Sequence, residues 1–189
     1  MQGLANNLKI LTVMNIPSNR NPRLTSSINP NLTSSINPNL TASINPNLTS
    51  SINPNLTSSI NPNLTSSINP NLTSSINPRL TSSINPNLTS SKNPRLTSSI
   101  NPKLSSNIPG YFVYDLALNP VSFTVLASTR VLLIFDSNLN WTSFAISNNR
   151  GGFNIFDLNN RWINYWVSNN RNGFNNFTLS GQWVGVVVG

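Results

Sequence analysis

The chain has 189 residues and a net charge of +8, from eleven Lys or Arg against three acids, with no His and no Cys. The three acids are all Asp, so the sequence excludes the usual catalytic triad, a thiolate nucleophile, a zinc site and a disulfide framework. We therefore expect no enzyme activity, no cofactor and no metal site.

Residues 1–20 form an N-terminal segment with a short apolar stretch around Ile10–Val13. The stretch is too short to cross a bilayer, and no small-residue cleavage pattern follows it, so neither a membrane span nor a clear signal peptide is predicted. An extracellular or cell-surface location is therefore suggested only by the repeats that follow.

Residues 21–108 repeat the octad Asn-Pro-Asn-Leu-Thr-Ser-Ser-Ile eleven times. Pro at every eighth position excludes a continuous helix, and Asn-Pro-Asn is typical of a turn. Leu24–Ile28 has the pattern of a short strand. Two structures are consistent with this array: a thin β-solenoid with two octads per turn and Leu and Ile inside, or a disordered, extended stalk. The backbone entropy lost on ordering so polar a tract favours the stalk.

Basic residues are sparse in the array, and all three acids lie after residue 110. A mildly cationic field of this kind attracts nucleic acid, acidic polysaccharide or an anionic membrane. Because the charges are isolated, we interpret them first as solvated charges that keep the chain soluble, and we expect no specific nucleic-acid binding.

Seven octads contain the N-glycosylation pattern Asn-Leu-Thr. In a host with the secretory machinery, the array would become a densely glycosylated rod. The candidate glycan attachment sites are Asn31, Asn39, Asn47, Asn55, Asn63, Asn71 and Asn87.

Residues 111–189 repeat with a second, longer period. Trp141, Trp162 and Trp183 mark it because they are equally spaced. Each unit has the pattern of a β-hairpin: a strand at 154–157, a polar turn at 158–161, a strand at 162–168 and a second turn at 169–173. The predicted fold class is all-β, with stacked β-hairpin repeats in this C-terminal part.

The stretch Phe156-Asp157-Leu158-Asn159-Asn160-Arg161-Trp162 resembles the YD repeat of RHS-type and teneurin-like proteins, whose core is Tyr-Asp, two variable residues and Gly-Arg-Leu. The resemblance implies a β-sheet shell that acts at cell surfaces and in some members recognises glycans. So few hairpins are expected not to close a shell, which would leave an apolar strand edge near 183–189 for self-association.

Asp136 and Asp157 occupy one repeat position and are expected to lie roughly 10 Å apart, too far for a retaining glycosidase pair, so we expect them to bond turn amides instead. The tryptophan column is either a hydrophobic seam or a platform for sugar stacking, and periodic aromatics are more often core. Tyr165 and Trp166 point to opposite faces of one strand, so at least one is expected to be exposed to a ligand.

Three functions are consistent with these patterns. A structural or adhesive surface protein, with carbohydrate as partner, explains both repeats. A self-assembling, glycosylated fibre subunit explains the octad fidelity and the strand edge. A translated DNA tandem repeat explains that fidelity without any selected function.

Overall fold

A computed structural model of the chain describes residues 25–105 and 110–189. The N-terminal segment and the outermost residues of the octad array lie outside these ranges. Helix within the described part is limited to short 3-10 turns, and none of these helices has the length and hydropathy that a bilayer crossing needs. The prediction of an all-β fold is confirmed.

The C-terminal part is a closed barrel of eight antiparallel strands that pair in sequence order. The predicted hairpin units are confirmed, and one repeat of the longer period corresponds to one hairpin. The strands are β1 (Phe112–Asp115), β2 (Pro120–Ser128), β3 (Val131–Asp136), β4 (Trp141–Ser147), β5 (Phe153–Asp157), β6 (Trp162–Ser168), β7 (Gly173–Thr178) and β8 (Trp183–Val188).

Closure of the barrel removes the strand edge that the sequence suggested. β8 pairs with β1 along its length, with Val187 opposite Val113. The expectation that so few hairpins could not close, and with it self-association through exposed strand edges, is therefore wrong. The apolar last strand finds its partner in its own chain because eight twisted, tilted strands are enough to close a small barrel.

The hairpin turns are held by side chains that accept hydrogen bonds from turn amides. Asp136 Oδ1 accepts from the backbone N–H groups of Asn138 (2.8 Å) and Asn140 (2.9 Å), and the Asp157 turn repeats this arrangement. The predicted role of these carboxylates in the turns is confirmed. The fourth turn residue has positive φ in every such hairpin of the described barrel: Leu118, Leu139, Asn160 and Gly181.

One face of the sheet fills the barrel lumen with small and aliphatic side chains and an aromatic cluster. The rings of Phe153 and Tyr111 each lie edge-on to Phe174, at 5.4 and 5.3 Å between centroids. The buried lumen residues are Val113, Leu132, Ile134, Ala145, Ile155, Trp166, Phe174 and Val187.

The outer face of the barrel is also apolar and buried, which requires a cover. Phe123, Phe135 and Phe144 are each at most 2% exposed on this face. The cover is the octad array: Ile76 and Ile84 belong to the same core cluster as these phenylalanines. We call residues 25–105 the octad belt. Octads and hairpins thus share one hydrophobic core.

The belt is neither of the two structures predicted for the array. Within the described residues it contains no strand; each octad instead forms a 3-10 turn and then a turn at Asn-Pro-Asn. The 3-10 turns are Ser26–Ile28, Ser34–Ile36, Ala42–Ile44, Ser50–Ile52, Ser58–Ile60, Ser66–Ile68, Ser74–Ile76, Ser82–Ile84, Ser90–Lys92 and Ser98–Ile100.

The backbone of the belt coils once per octad. The prediction of two octads per turn of a solenoid is therefore wrong. The Thr57 hydroxyl donates to the Ser50 carbonyl (2.7 Å), and the Asn61 amide donates to the Pro54 carbonyl (2.9 Å), each seven residues back. These bonds occupy polar groups that a strand would have paired with another strand. Ile packs on the barrel, whereas Leu, expected inside, faces outward.

The outward leucines form a row along the belt, which we call the leucine row. Its members are 67–71% exposed: Leu32, Leu40, Leu48, Leu56, Leu64, Leu72, Leu80, Leu88, Leu96 and Leu104.

Contacts between belt and barrel show that the belt encircles the barrel once. The Asn31 amide donates to the β1–β2 turn, Asn55 and Asn63 to the β7–β8 turn, and Asn87 to the β5–β6 turn. Lys103 then reaches the β3–β4 turn. The turns are met in the order of their positions around the barrel.

Three octads span one hairpin. Asn63 and Asn87, three octads apart, donate to the carbonyls of Leu179 and Leu158, which are one hairpin unit apart. On the barrel wall, Asn175 and Asn154 repeat the relation by donating to the carbonyls of Ile44 and Ile68. The two repeats are therefore in register although their periods differ.

Candidate ligand-binding clefts at the tryptophan rim

The end of the barrel that carries the β1–β2, β3–β4, β5–β6 and β7–β8 turns is here called the tryptophan rim. Trp141, Trp162 and Trp183 begin the strands that leave three of these turns. A β-bulge before Phe135 pairs that residue with Trp141, and the same irregularity recurs before Phe156. The bulge places each tryptophan at the junction of barrel and belt, where it is half-buried.

The first cleft, which we call the Trp141 cleft, has a volume of 230 Å³ and combines aromatic, basic and amide groups. The Arg95 guanidinium lies 5.5 Å from the centre of the Trp141 ring, a cation–π contact. The Lys103 ammonium donates to Asn140 Oδ1 at 3.1 Å. Phe135 lines the cleft beside the tryptophan.

The second cleft, the Trp162 cleft, has a volume of 210 Å³ and lies at the next hairpin. Arg79 and Arg161 supply its positive charge, and Phe156 lies beside Trp162. Asn71 occupies the position that Arg95 has in the first cleft, and Arg79 occupies the position of Lys103. The belt therefore supplies one cation to this cleft and two to the first. The two clefts are repeats of one site, offset by three octads in the belt and one hairpin in the barrel.

Asp157 ties Arg161 down at the edge of the Trp162 cleft. Asp157 Oδ2 lies 2.6 Å from Arg161 Nε, and Arg161 is 68% exposed while Asp157 is 17% exposed. Burial pushes the pKa of Asp157 upward, but hydrogen bonds from Arg161 and the Asn159 N–H, with the charge of Arg161, lower the pKa overall. The charge of Arg161 is therefore paired with Asp157, and Arg79 is the cation that the belt contributes to this cleft.

The basic side chains of the clefts were missed from the sequence because they are dispersed along it. Arg79, Arg95 and Lys103 each replace the second Asn of an octad. Folding places all three at two neighbouring clefts. The signal that could have found them is their shared octad position, combined with the ratio of three octads to one hairpin.

A core position was favoured for the three tryptophans of the column. In the structure their rings are partly buried and partly exposed to solvent. Each indole Nε1 donates to the carbonyl two residues ahead, at 2.9 Å in Trp141, 2.9 Å in Trp162 and 2.8 Å in Trp183. All three rings pack against the outer core cluster while remaining partly exposed. The packing and the indole bond fix the orientation of each ring, and the Arg95 guanidinium already lies over the Trp141 ring.

Tyr165 and Trp166 do point to opposite faces, but neither is exposed. Tyr165 is 1% exposed beneath the belt, and Trp166 is 2% exposed in the lumen. The expectation that one of them is open to a ligand is wrong, because the belt buries the face that an uncovered sheet would have left in solvent.

The candidate glycan acceptors divide into two groups. The side-chain nitrogens of Asn31, Asn55, Asn63 and Asn87 donate to barrel carbonyls, so a glycan there would displace a contact between belt and barrel. The remaining acceptors are Asn39, Asn47 and Asn71, of which Asn71 lines the Trp162 cleft, and every acceptor except the half-buried Asn87 is exposed. Glycosylation stays a prediction.

No protein family, no curated protein and no solved structure matches this chain. The resemblance to YD repeats therefore stays a prediction.

The opposite end of the barrel carries a second pair of repeated clefts, each of 130 Å³. Arg171 and Arg150 line them in equivalent positions, next to the Asx turns of Asn169 and Asn148. At the third equivalent position the Arg130 guanidinium donates to the Ser75 carbonyl at 2.7 Å. These clefts contain no tryptophan of the column.

Proposed function

We propose that this protein is a non-enzymatic structural or adhesive protein in which belt and barrel form one rigid module that binds carbohydrate along the tryptophan rim. The observation that carries the proposal is the repetition of one cleft, with a half-buried tryptophan and basic neighbours, at successive hairpins. Repeated, similar sites on one rigid body suit multivalent attachment to a repeating polymer.

The rigid module supports adhesion in a second way. Aromatic faces fixed by packing and by an indole hydrogen bond lose little conformational entropy when a sugar stacks on them. Extracellular placement, which the repeats suggest, belongs to this proposal.

A glycan array probed with the full chain tests it. We expect retention on a subset of glycans and a loss of that signal in Trp162→Leu, because Leu removes the flat ring face. Ile163→Thr is the control, since Ile163 is 39% exposed on the neighbouring position and is not among the residues lining the cleft. Retention of no glycan by the folded wild-type chain would refute the proposal.

The leucine row favours a second candidate, the self-assembling fibre subunit. Ten apolar side chains that are 67–71% exposed along the described belt form a surface that a second copy can cover. Filaments of the full chain in electron micrographs would support this function, and a monomer at high concentration would contradict it. The match between three octads and one hairpin does not favour a translated repeat without function.

A further inference from the structure

We propose that the Trp141 and Trp162 clefts bind an anionic polysaccharide, with the carboxylate of a uronic-acid residue held by the belt cations and its sugar ring against the tryptophan. The inference rests on the proposed function and names the class of ligand for the same clefts.

The belt contributes positive charge to both clefts. The three basic replacements at the second Asn position of the described octads, Arg79, Arg95 and Lys103, all line these two clefts. A guanidinium binds a carboxylate in a bidentate manner, and an ammonium adds a point charge. The Trp183 position, in contrast, meets the neutral Asn55 at its turn, so the basic replacements at the second Asn position of the described octads lie at the Trp141 and Trp162 positions and not at Trp183.

The other groups that line the clefts fit a sugar ring with hydroxyls. Trp141 and Phe135 supply an apolar wall in one cleft, and Trp162 and Phe156 supply it in the other. Side-chain amides lie beside each wall, and an amide both donates to and accepts from hydroxyl groups. These amides are Asn101 and Asn140 in the Trp141 cleft, and Asn77 and Asn160 in the Trp162 cleft.

The arrangement of charge favours a polysaccharide over a nucleic acid. Nucleic-acid binding requires a stripe of cations along a phosphate backbone. Here the cations form two clusters, and each cluster shares its hairpin with a carboxylate, Asp136 or Asp157. A polyuronate carries one carboxylate per sugar, and these carboxylates can reach the two cation clusters while neutral parts of the sugars lie near Asp136 and Asp157. The phosphates of a nucleic acid form a continuous row that would also lie near those carboxylates.

The two clefts lie at neighbouring hairpins, so one polymer chain can occupy both. Multivalent binding of this kind raises the overall affinity above that of either cleft. Removing the cations of one cleft should therefore weaken binding without abolishing it.

The test measures binding of the full chain to immobilised polygalacturonate, with neutral dextran and duplex DNA as parallel probes. The double variant Arg95→Asn with Lys103→Asn restores the octad consensus and so preserves the fold. We expect it to bind polygalacturonate about tenfold more weakly, since two charge-assisted contacts are lost. Trp141→Leu should weaken binding to a similar extent and Trp183→Leu should not.

The control is Arg150→Asn with Arg171→Asn, which removes the same charge from exposed positions at the opposite end of the barrel. It should retain wild-type affinity. Equal losses in the two double variants, or tighter binding to DNA than to polygalacturonate, would overturn the inference. Binding to dextran but not to polygalacturonate would overturn it while leaving the proposed adhesive function in place, whereas absence of all glycan binding on the array would remove both.

Discussion

Two tyrosines under the belt show the effect of covering the barrel on individual side chains. The hydroxyl oxygens of Tyr114 and Tyr165 are buried without a hydrogen-bond partner. Burial raises the pKa of Tyr165 to about 12 and raises that of Tyr114 as well. Belt isoleucines pack in the same clusters as these tyrosines, so the cover on the barrel contributes to both features.

Tyr165→Phe removes one of these hydroxyls, and we expect the free energy of unfolding to rise by about 1 kcal/mol at neutral pH. The folded chain binds the Tyr165 proton more tightly than the unfolded chain does, so the free energy of unfolding does not depend on this group below its unfolded pKa and falls as pH rises toward its folded pKa. Wild type should therefore lose stability from about pH 10 to about pH 12. The variant should lose less.

Denaturant titrations of both proteins at pH 8 and above pH 10 measure this difference. A lower stability of Tyr165→Phe at pH 8 would contradict the prediction, because it would mean that the hydroxyl makes a favourable contact.

At the scale of elements, the hairpins were predictable and the octads were not. Aromatics that recur once per repeat unit, with Asp at three of the turns, indicated strand, turn and strand in agreement with β5 and β6. The octad carries equal local turn signals, but its Leu and Ile are equivalent in a strand pattern. The Thr and Asn bonds to carbonyls seven residues back hold the shape of each octad, and packing on the barrel buries Ile while Leu faces outward.

The inequality of the two aliphatic positions gives a matched pair of substitutions. Ile76→Ala removes a side chain that is 0% exposed and packs in the barrel core cluster, so we expect a loss of about 2–4 kcal/mol in the free energy of unfolding. Leu72→Ala truncates a side chain that is 70% exposed in the same octad, and its effect should stay within about 0.5 kcal/mol.

Urea denaturation of the two variants and the wild type measures both effects. Equal destabilisation by the two changes would contradict the assignment of Ile to the barrel side and Leu to the solvent side.

At the scale of the whole molecule, belt and barrel depend on each other. The outer barrel face is largely apolar, and the belt isoleucines cover it. Neither part alone buries its apolar side chains: the barrel would expose phenylalanines, and the belt has only one inward aliphatic side chain per octad. Shared burial offsets the backbone entropy that had favoured a stalk.

We therefore expect belt and barrel to unfold together in one cooperative transition. Amide hydrogen exchange of the octad N–H groups bonded within the 3-10 turns should show the same opening free energy as the barrel strands. Rapid exchange throughout the octads, with protection confined to residues 110–189, would contradict a belt held on the barrel.

Sequence periodicity was sufficient to predict the all-β class, the hairpin boundaries and the turn-binding role of the aspartates, because these follow from interactions within a single hairpin unit. Tertiary structure decided the closure of β8 on β1, the wrapping of the belt, the burial of Tyr165 and the gathering of Arg79, Arg95 and Lys103. These depend on contacts between segments far apart in the chain. The ratio of three octads to one hairpin is a property of the contacts between belt and barrel, so neither repeat shows it alone.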